Sequence, residues 1–361
     1  MHVKKTLMNL AAALVVSALL ASCGGGGNGG DDDDDIVSFV PKTGQTASFS
    51  SGDDGDLEAG IAWPSPRFTV AGDCTTDNLT GLVWAASPDS TTRTWAAALD
   101  AANTSTLGSY TDWRLPNINE LESLVNVAAD DAAVWLNGQG FTGIQSSRYW
   151  TSTTYFNDTS QAVIVYLYDG SIGSNAKTWG GNYTLIVRGA TAAPAPLPKT
   201  GQTASSSSGD DGDFEAGIAW PDPRFTDNAD GTITDELTGL MWTKDGYAPG
   251  PVACNPGEDK TWEEALDYVD CLNSDGYLGH DDWRLPNRNE LRSLVNHADD
   301  TSDWLNGQGF TNVQGLGYWT STTYAYDDET SNAWFVDLGT VTVDYSGKGS
   351  SRPVWAVRSS E

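Results

Sequence analysis

Apolar residues at positions 95, 98, 99 and 102 fall on one face of a helical repeat, and those at 262, 265, 266 and 269 do the same. Each spacing predicts a helix that opens on a tryptophan and buries one side. Thr261 and Glu264 sit at the positions of a capping box, so the second of these helices starts at Trp262. The same logic places a further helix after Asn117-x-x-Glu120 and after Asn287-x-x-Glu290, where Pro116 and Pro286 stop any earlier helix. Beyond Phe141 and Phe310 the period changes. Tyr149–Thr154, Ala162–Tyr168, Tyr183–Arg188 and the matching later stretches read as strands. Asp230-Gly231 between Arg224-Phe225-Thr226 and Thr232-Ile233-Thr234 predicts a hairpin. The fold class is α+β, with strands, two helices and a loop-rich β region.

That order occurs twice. PKTGQTASFSSGDDGDLEAGIAWPSPRFT from Pro41 returns as PKTGQTASSSSGDDGDFEAGIAWPDPRFT from Pro198. The blocks DWRLPN, LNGQGF and YWTST also return in order. The expected organisation is copy 1 over 41–190, an Ala/Pro linker over 191–197 and copy 2 over 198–361. Each copy has the size of a single hydrophobic core.

Ahead of the repeats stands a different kind of segment. Lys4 and Lys5 precede an apolar run from Leu7 to Ala21, which is too short for a comfortable membrane span and reads as a secretory signal over residues 1–22. Its end, Leu20-Ala21-Ser22-Cys23, resembles the bacterial lipobox, which implies a lipidated Cys23. Gly24 behind the cysteine implies sorting to the outer membrane. The expected location is therefore the outer membrane or cell surface of a Gram-negative bacterium, with the membrane touched only through the lipid. Residues 23–40, with GGGGNGGDDDDD, read as a solvated tether. Across the chain 49 acidic residues face 19 basic ones, a formal charge of −30. Such a chain repels phosphate backbones, so nucleic acid is not an expected partner.

The ordered motifs RFTDNADGTITDELTGLMW, TW-x-x-AL, DWRLPN-x-NEL-x-SLVN, LNGQGF and YWTST resemble the Lcl C-terminal domain family in both copies. The segment RLPN-x-x-E is also similar to RLPT-x-x-E of formylglycine-generating (sulfatase-modifying) enzymes. The resemblance implies two tandem C-type-lectin-like domains, each with two helices and a small twisted, mainly antiparallel sheet. It further implies a non-catalytic surface module for ligand binding or adhesion, with a glycan or a surface protein as ligand. The alternatives are an enzyme related to formylglycine-generating enzymes and a structural envelope protein. Those enzymes use a cysteine pair near their C-terminal end, and this chain has no cysteine after Cys271. His280 and His297 occur in copy 2 alone. An enzyme is therefore not expected, and no catalytic residue is assigned.

Four groups of residues carry the remaining chemistry. Cys254 and Cys271 bracket an insertion and a helix in an exported protein, where a disulfide is expected. Cys74 is then left over, as a small buried residue or as half of an intermolecular or inter-copy bond. Asp53, Asp54 and Asp56, with Asp210, Asp211 and Asp213, put hard oxygens beside glycine. That chemistry suits calcium, and a solvated Asp/Gly turn explains it equally simply. No other cofactor is expected. Of 15 tryptophans, twelve form matched pairs between the copies, which points to the core. Trp334 and Trp355 lie in strand patterns and are expected to pack. Trp179 lies in a polar, Gly-rich loop and is the leading candidate to stack on a ligand. Tyr155, Tyr166, Tyr168, Tyr324, Tyr326 and Tyr345 fall where the copies differ most. They would line a binding surface if the fold is lectin-like.

Overall fold

A computed structural model of the chain describes residues 40–326 and 330–360. Copy 1 contains α1 (Asp54–Leu57), β1 (Phe68–Ala71), β2 (Cys74–Asp77), β3 (Leu82–Ala85), α2 (Trp95–Asn103), α3 (Ile118–Glu122), α4 (Ala132–Gly138), β4 (Arg148–Thr154), β5 (Gln161–Tyr166), β6 (Ile172–Ala176) and β7 (Val187–Ala190). Copy 2 repeats them as α5 (Asp211–Phe214), β8 (Phe225–Asp227), β9 (Thr232–Asp235), β10 (Leu240–Thr243), α6 (Trp262–Asp275), α7 (Arg288–Ser293), α8 (Thr301–Gly307), β11 (Gly317–Thr323), β12 (Asn332–Asp337), β13 (Thr342–Gly347) and β14 (Val357–Ser359). The protein is an α+β pair of repeats, and none of the helices described is long and apolar enough to cross a membrane.

The expected capping residues do their work. Thr261, Asn117 and Asn287 each form a full capping box with the glutamate three residues on. In both RLPN-x-x-E segments the same glutamate also takes the arginine's fork: Arg114 donates to Glu120 at 2.6 Å and Arg284 to Glu290 at 2.6 Å. The motif is thus a closed loop of charge-assisted bonds around a helix start. The helices α1, α4, α5 and α8 were not foreseen; each is seven residues or fewer and opens on an aspartate cap.

Each copy builds one four-stranded antiparallel sheet of its own, in the order β1-β2-β3-β7 and β8-β9-β10-β14. A third sheet belongs to both. Its order is β4-β5-β6-β13-β12-β11, and copy 1 meets copy 2 at the antiparallel pairing of Ile172 with Val343. Two strands that would each be a bare edge cover one another there. One apolar cluster accordingly contains residues from both copies, with Trp84, Tyr149 and Leu185 alongside Trp242, Tyr318 and Trp355. Trp334 and Trp355 are buried, as their strand pattern predicts.

The near-identical segments that open the copies cross over. Residues 41–63 hydrogen-bond to copy 2: Gln45 exchanges two bonds with the Thr323 backbone at 2.9 and 3.0 Å, and Asn287 and Asn289 donate to the carbonyls of Ala59 and Pro41 at 3.0 and 3.1 Å. Residues 198–220 reciprocate on copy 1. Gln202 exchanges two bonds with the Thr154 backbone at 2.9 Å, while Asn117 and Asn119 donate to Ala216 and Pro198 at 3.0 Å. Each segment also holds its own copy. The Val127 amide donates to Thr43 at 3.3 Å and the His297 amide to Thr200 at 2.9 Å. Trp63 packs on Trp135 at 5.7 Å between ring centroids, and Trp220 on Trp304 at 5.3 Å.

A buried carboxylate sits at the centre of each crossover. Asp54 accepts from Thr43 of its own copy and Thr322 of the other, both at 2.7 Å. Asp211 accepts from Thr200 and Thr153, again at 2.7 Å. Burial raises both carboxyls to about 7, against the lowering effect of the threonine bonds. One contact breaks the symmetry. Glu122 on α3 pairs with Arg288 and, at 2.8 Å, with Arg292 on α7. Copy 1 has Ile118 and Glu122 where copy 2 has Arg288 and Arg292. Burial pushes the Glu122 carboxyl up, but Arg292 and Arg288 outweigh it and hold the group below its usual value.

Two outcomes follow from these buried charges. A carboxyl whose folded pKa is raised favours folding while protonated, so that stability fades as pH climbs from about 4 through about 7. Asp54→Asn and Asp211→Asn are expected to leave urea-unfolding stability near parent at pH 4 and to raise it at pH 8. Each removes a penalty on the order of 4 kcal/mol at the higher pH. Glu122→Ala leaves two buried guanidinium groups without a counter-charge, and is expected to cost about 3–5 kcal/mol in the same assay.

Candidate functional site

Loop geometry decides which predicted side chains reach solvent. After β6 the chain turns at Lys177 and passes the start of α2, where the Trp95 amide donates to the Lys177 carbonyl at 3.0 Å. Trp179 follows. Its ring folds over Gly181, where no side chain would fit, and it remains 54 % exposed. Trp179 is thus a displayed indole at the mouth of the α2 start.

Beside it is an open cleft of about 450 Å³, lined by Thr94, Trp95, Ala96, Thr159, Lys177, Thr178, Ser206 and Ser207. The two serines arrive on the crossover segment of copy 2, so the cleft exists only because the copies interlock. Lys177 donates to Thr154 at 2.8 Å and Ser206 at 2.7 Å, with its ammonium 3.9 Å from the Trp95 ring centroid. Burial pulls its pKa down from the usual lysine value, and Asp210 partly restores it.

The tyrosines are brought together at the seam between the copies. Tyr324 and Tyr345 stack at 3.7 Å and 13°. Trp334 meets both edge-on at 5.2 and 6.0 Å. Tyr326 continues the row to Tyr168 and then Tyr166, with centroids 6.0, 6.3 and 5.6 Å apart. Tyr155 lies outside this row and packs on Phe156. Tyr324, expected on an exposed binding face, is instead buried, because Trp334 and Tyr345 cover its ring. The row is half-buried packing across the β6–β13 junction more than a displayed platform.

The aspartate clusters do not converge on a point. Asp53 caps α1 and spends its oxygens on the amides of Phe49, Ser50 and Asp56. Asp54 turns inward to the threonines, and Asp56 accepts from the Gly52 amide at 2.8 Å. Asp210, Asp211 and Asp213 repeat the arrangement. Positions around one helical turn radiate, so the calcium expectation loses its ligand set. Among the described residues no group of three or more acids, histidines or cysteines is placed to hold a metal.

The remaining singled-out residues have structural surroundings. Cys254 and Cys271 form a disulfide with Cα atoms 5.7 Å apart, tying the insertion to α6. Cys74 is a half-buried free thiol on β2. His297 is buried, and burial together with Arg292 takes it down to about 3, so it packs as a neutral ring. His280 meets Trp283 edge-on. Cys23 and residues 23–39 of the tether lie outside the described residues.

Comparison with protein families finds the Lcl C-terminal domain twice, over residues 73–188 and 231–358. The chain belongs to the Lcl C-terminal domain family. No curated protein matches it. Both Lcl C-terminal matches begin after the crossover segments, so those segments, with the two serines of the cleft, lie outside the matched spans, while their partners Thr154 and Thr323 lie inside them. Sequence reasoning missed that crossover. Its one signal was the near-identity of 41–69 and 198–226 while later blocks diverged: a segment that must satisfy both copies at once has little room to change.

Proposed function

We propose that the protein is a non-catalytic, lipid-anchored surface protein whose Lcl C-terminal domains bind a ligand on another surface, with a glycan as the favoured class. The observation that carries this reading is the exposed Trp179 indole beside a hydroxyl-lined cleft. An indole face covers the apolar side of a sugar ring while hydroxyls and a cation satisfy its polar rim. The titratable groups inside the fold support the same reading. Asp54, Asp211 and Glu122 are engaged in holding the copies together, and His297 is buried, away from solvent. The lipobox-like end of the leader supports export and anchoring through Cys23.

Purified full-length protein applied to a printed glycan panel is expected to be retained on a subset of glycans, and Trp179→Ala to lower that retention at least tenfold with an unchanged melting temperature. Retention on none of the glycans would overturn the reading. In cells, palmitate labelling is expected to disappear with Cys23→Ala; labelling that persists in that variant removes the anchor from the proposal.

A further inference from the structure

The duplication supplies an internal comparison for the cleft. In copy 2 the equivalent place is defined by the same backbone bonds: the Trp262 amide donates to the Lys348 carbonyl at 2.9 Å, and the Lys348 amide to Ser331, as the Lys177 amide does to Ser160. Lys348 lies 3.7 Å from the Trp262 ring centroid, matching Lys177 over Trp95. The lysine and its aromatic floor are common to both.

What stands over the lysine differs. In copy 2 the crossover segment brings Phe49, whose ring lies 5.4 Å from the Lys348 ammonium, where copy 1 receives Ser206. Copy 2 also has Glu263 on the first turn of α6, hydrogen-bonded by Ser50 at 2.9 Å; burial pulls the Lys348 pKa down, and Glu263 and Asp53 partly restore it. Copy 1 has Ala96 there. The next residue differs too. Glu264 completes the capping box of α6, whereas α2 has Ala97, no acid in its first turn and no side-chain bond from its cap Thr94. Copy 2 therefore provides its own anion and its own apolar cover. Copy 1 keeps the cation, the ring and the start of a nine-residue helix that has no side-chain cap, and leaves the place open.

We infer that the copy 1 cleft is a binding site for the carboxylate of an acidic sugar, a uronic-acid unit, which takes the place that Glu263 occupies in copy 2. Lys177 and the start of α2 face the carboxylate. The exposed lining is mostly apolar, with the hydroxyls of Thr94, Thr159, Thr178, Ser206 and Ser207 set into it, which suits the apolar face and polar rim of a sugar ring. No carboxylate lies within ion-pair distance of Lys177 among the described residues; Asp210 acts on it from behind Ser206, whose hydroxyl donates to Asp210 at 3.0 Å, so an incoming acid would be the first to pair with the ammonium directly. The site rests on the glycan-binding reading above and narrows it to one sugar chemistry and one of the two copies.

Isothermal titration of the full chain with digalacturonate, with neutral digalactose and with acetate tests this. One digalacturonate per chain is expected, at least tenfold tighter than either control and weakening as salt rises. Ala96→Glu installs the copy 2 acid at an exposed first-turn position that tolerates it, and is expected to abolish that binding. Phe49→Ser with Glu263→Ala opens copy 2 and is expected to raise the stoichiometry to two. Digalacturonate binding that survives Ala96→Glu overturns the site while leaving glycan binding in place. A chain retained on neutral glycans of the panel but not binding digalacturonate overturns the acidic-sugar assignment alone. Equal binding of acetate overturns the sugar and leaves an anion site.

Discussion

The structure depends on a reciprocal exchange: each copy completes the other with its opening segment. Asp54 joins Thr43 to Thr322, and Asp211 joins Thr200 to Thr153, so each buried carboxylate closes the two copies onto each other. The amide groups of Gln45 and Gln202 bridge to the ends of β11 and β4 in the same way. A carboxylate inside an apolar core is costly unless it is fully bonded, and here half of its partners belong to the other repeat. Neither copy is therefore a self-sufficient unit. Removing one would strip the other of a segment, an edge-strand partner and a hydrogen-bonding set together.

Such near two-fold exchange carries a hazard, since two like copies from different chains could exchange as readily as two copies within one. The asymmetric pair of helices α3 and α7 acts against this. In the observed pairing Glu122 meets Arg288 and Arg292, and the Nη2 groups of these arginines donate to Gly170 and Asn119 at 2.6 and 2.9 Å. Pairing copy 1 with another copy 1 would set Glu122 near a second Glu122 with only Ile118 to face. Pairing copy 2 with copy 2 would crowd four arginines. Either leaves buried charge without a partner, which costs more than a buried pair returns. Two substitutions in one short helix pair thus make an otherwise symmetric interface heterologous, and the short connection between the copies keeps the correct partner close at hand.

Much of this was legible in the chain. The tryptophan-led helices, the capping boxes, the hairpin at Asp230-Gly231 and the burial of Trp334 and Trp355 follow from periodicity and local bonding, which act within a few residues. The disulfide partners could be named because little else was available to pair. The crossover could not be read that way. Identical segments look alike whether they pack on their own copy or on the other, and no local rule distinguishes the two. The Asp clusters misled for a related reason. Counting carboxylates on a glycine-rich turn says nothing about direction, and α1 and α5 point consecutive aspartates to different sides. Tyr324 shows the same limit, because the rings that bury it come from β12 and β13.

The tryptophan surplus then has a single physical account. Ten indoles are almost wholly buried, and most are one repeat's core present twice. The exposed Trp179 belongs to a loop that copy 2 replaces with Gly349 and Ser350 after Lys348. Duplication divides the work: the interlocked core needs both copies to keep their shared residues, but a cleft at the surface needs only one. Copy 2 could therefore set Phe49 and Glu263 beside its lysine without loss to the fold, while copy 1 has Ser206 and Ala96 at those positions. The cleft's two serines come from copy 2, so the exchange that holds the repeats together also supplies one wall of the site. The lining of the cleft and the stability of the interlock are thus linked through residues 198–220. Loosening that segment would empty the site of Ser206 and Ser207 and take one of the two hydroxyl acceptors of Lys177, while leaving the Trp95 floor in place.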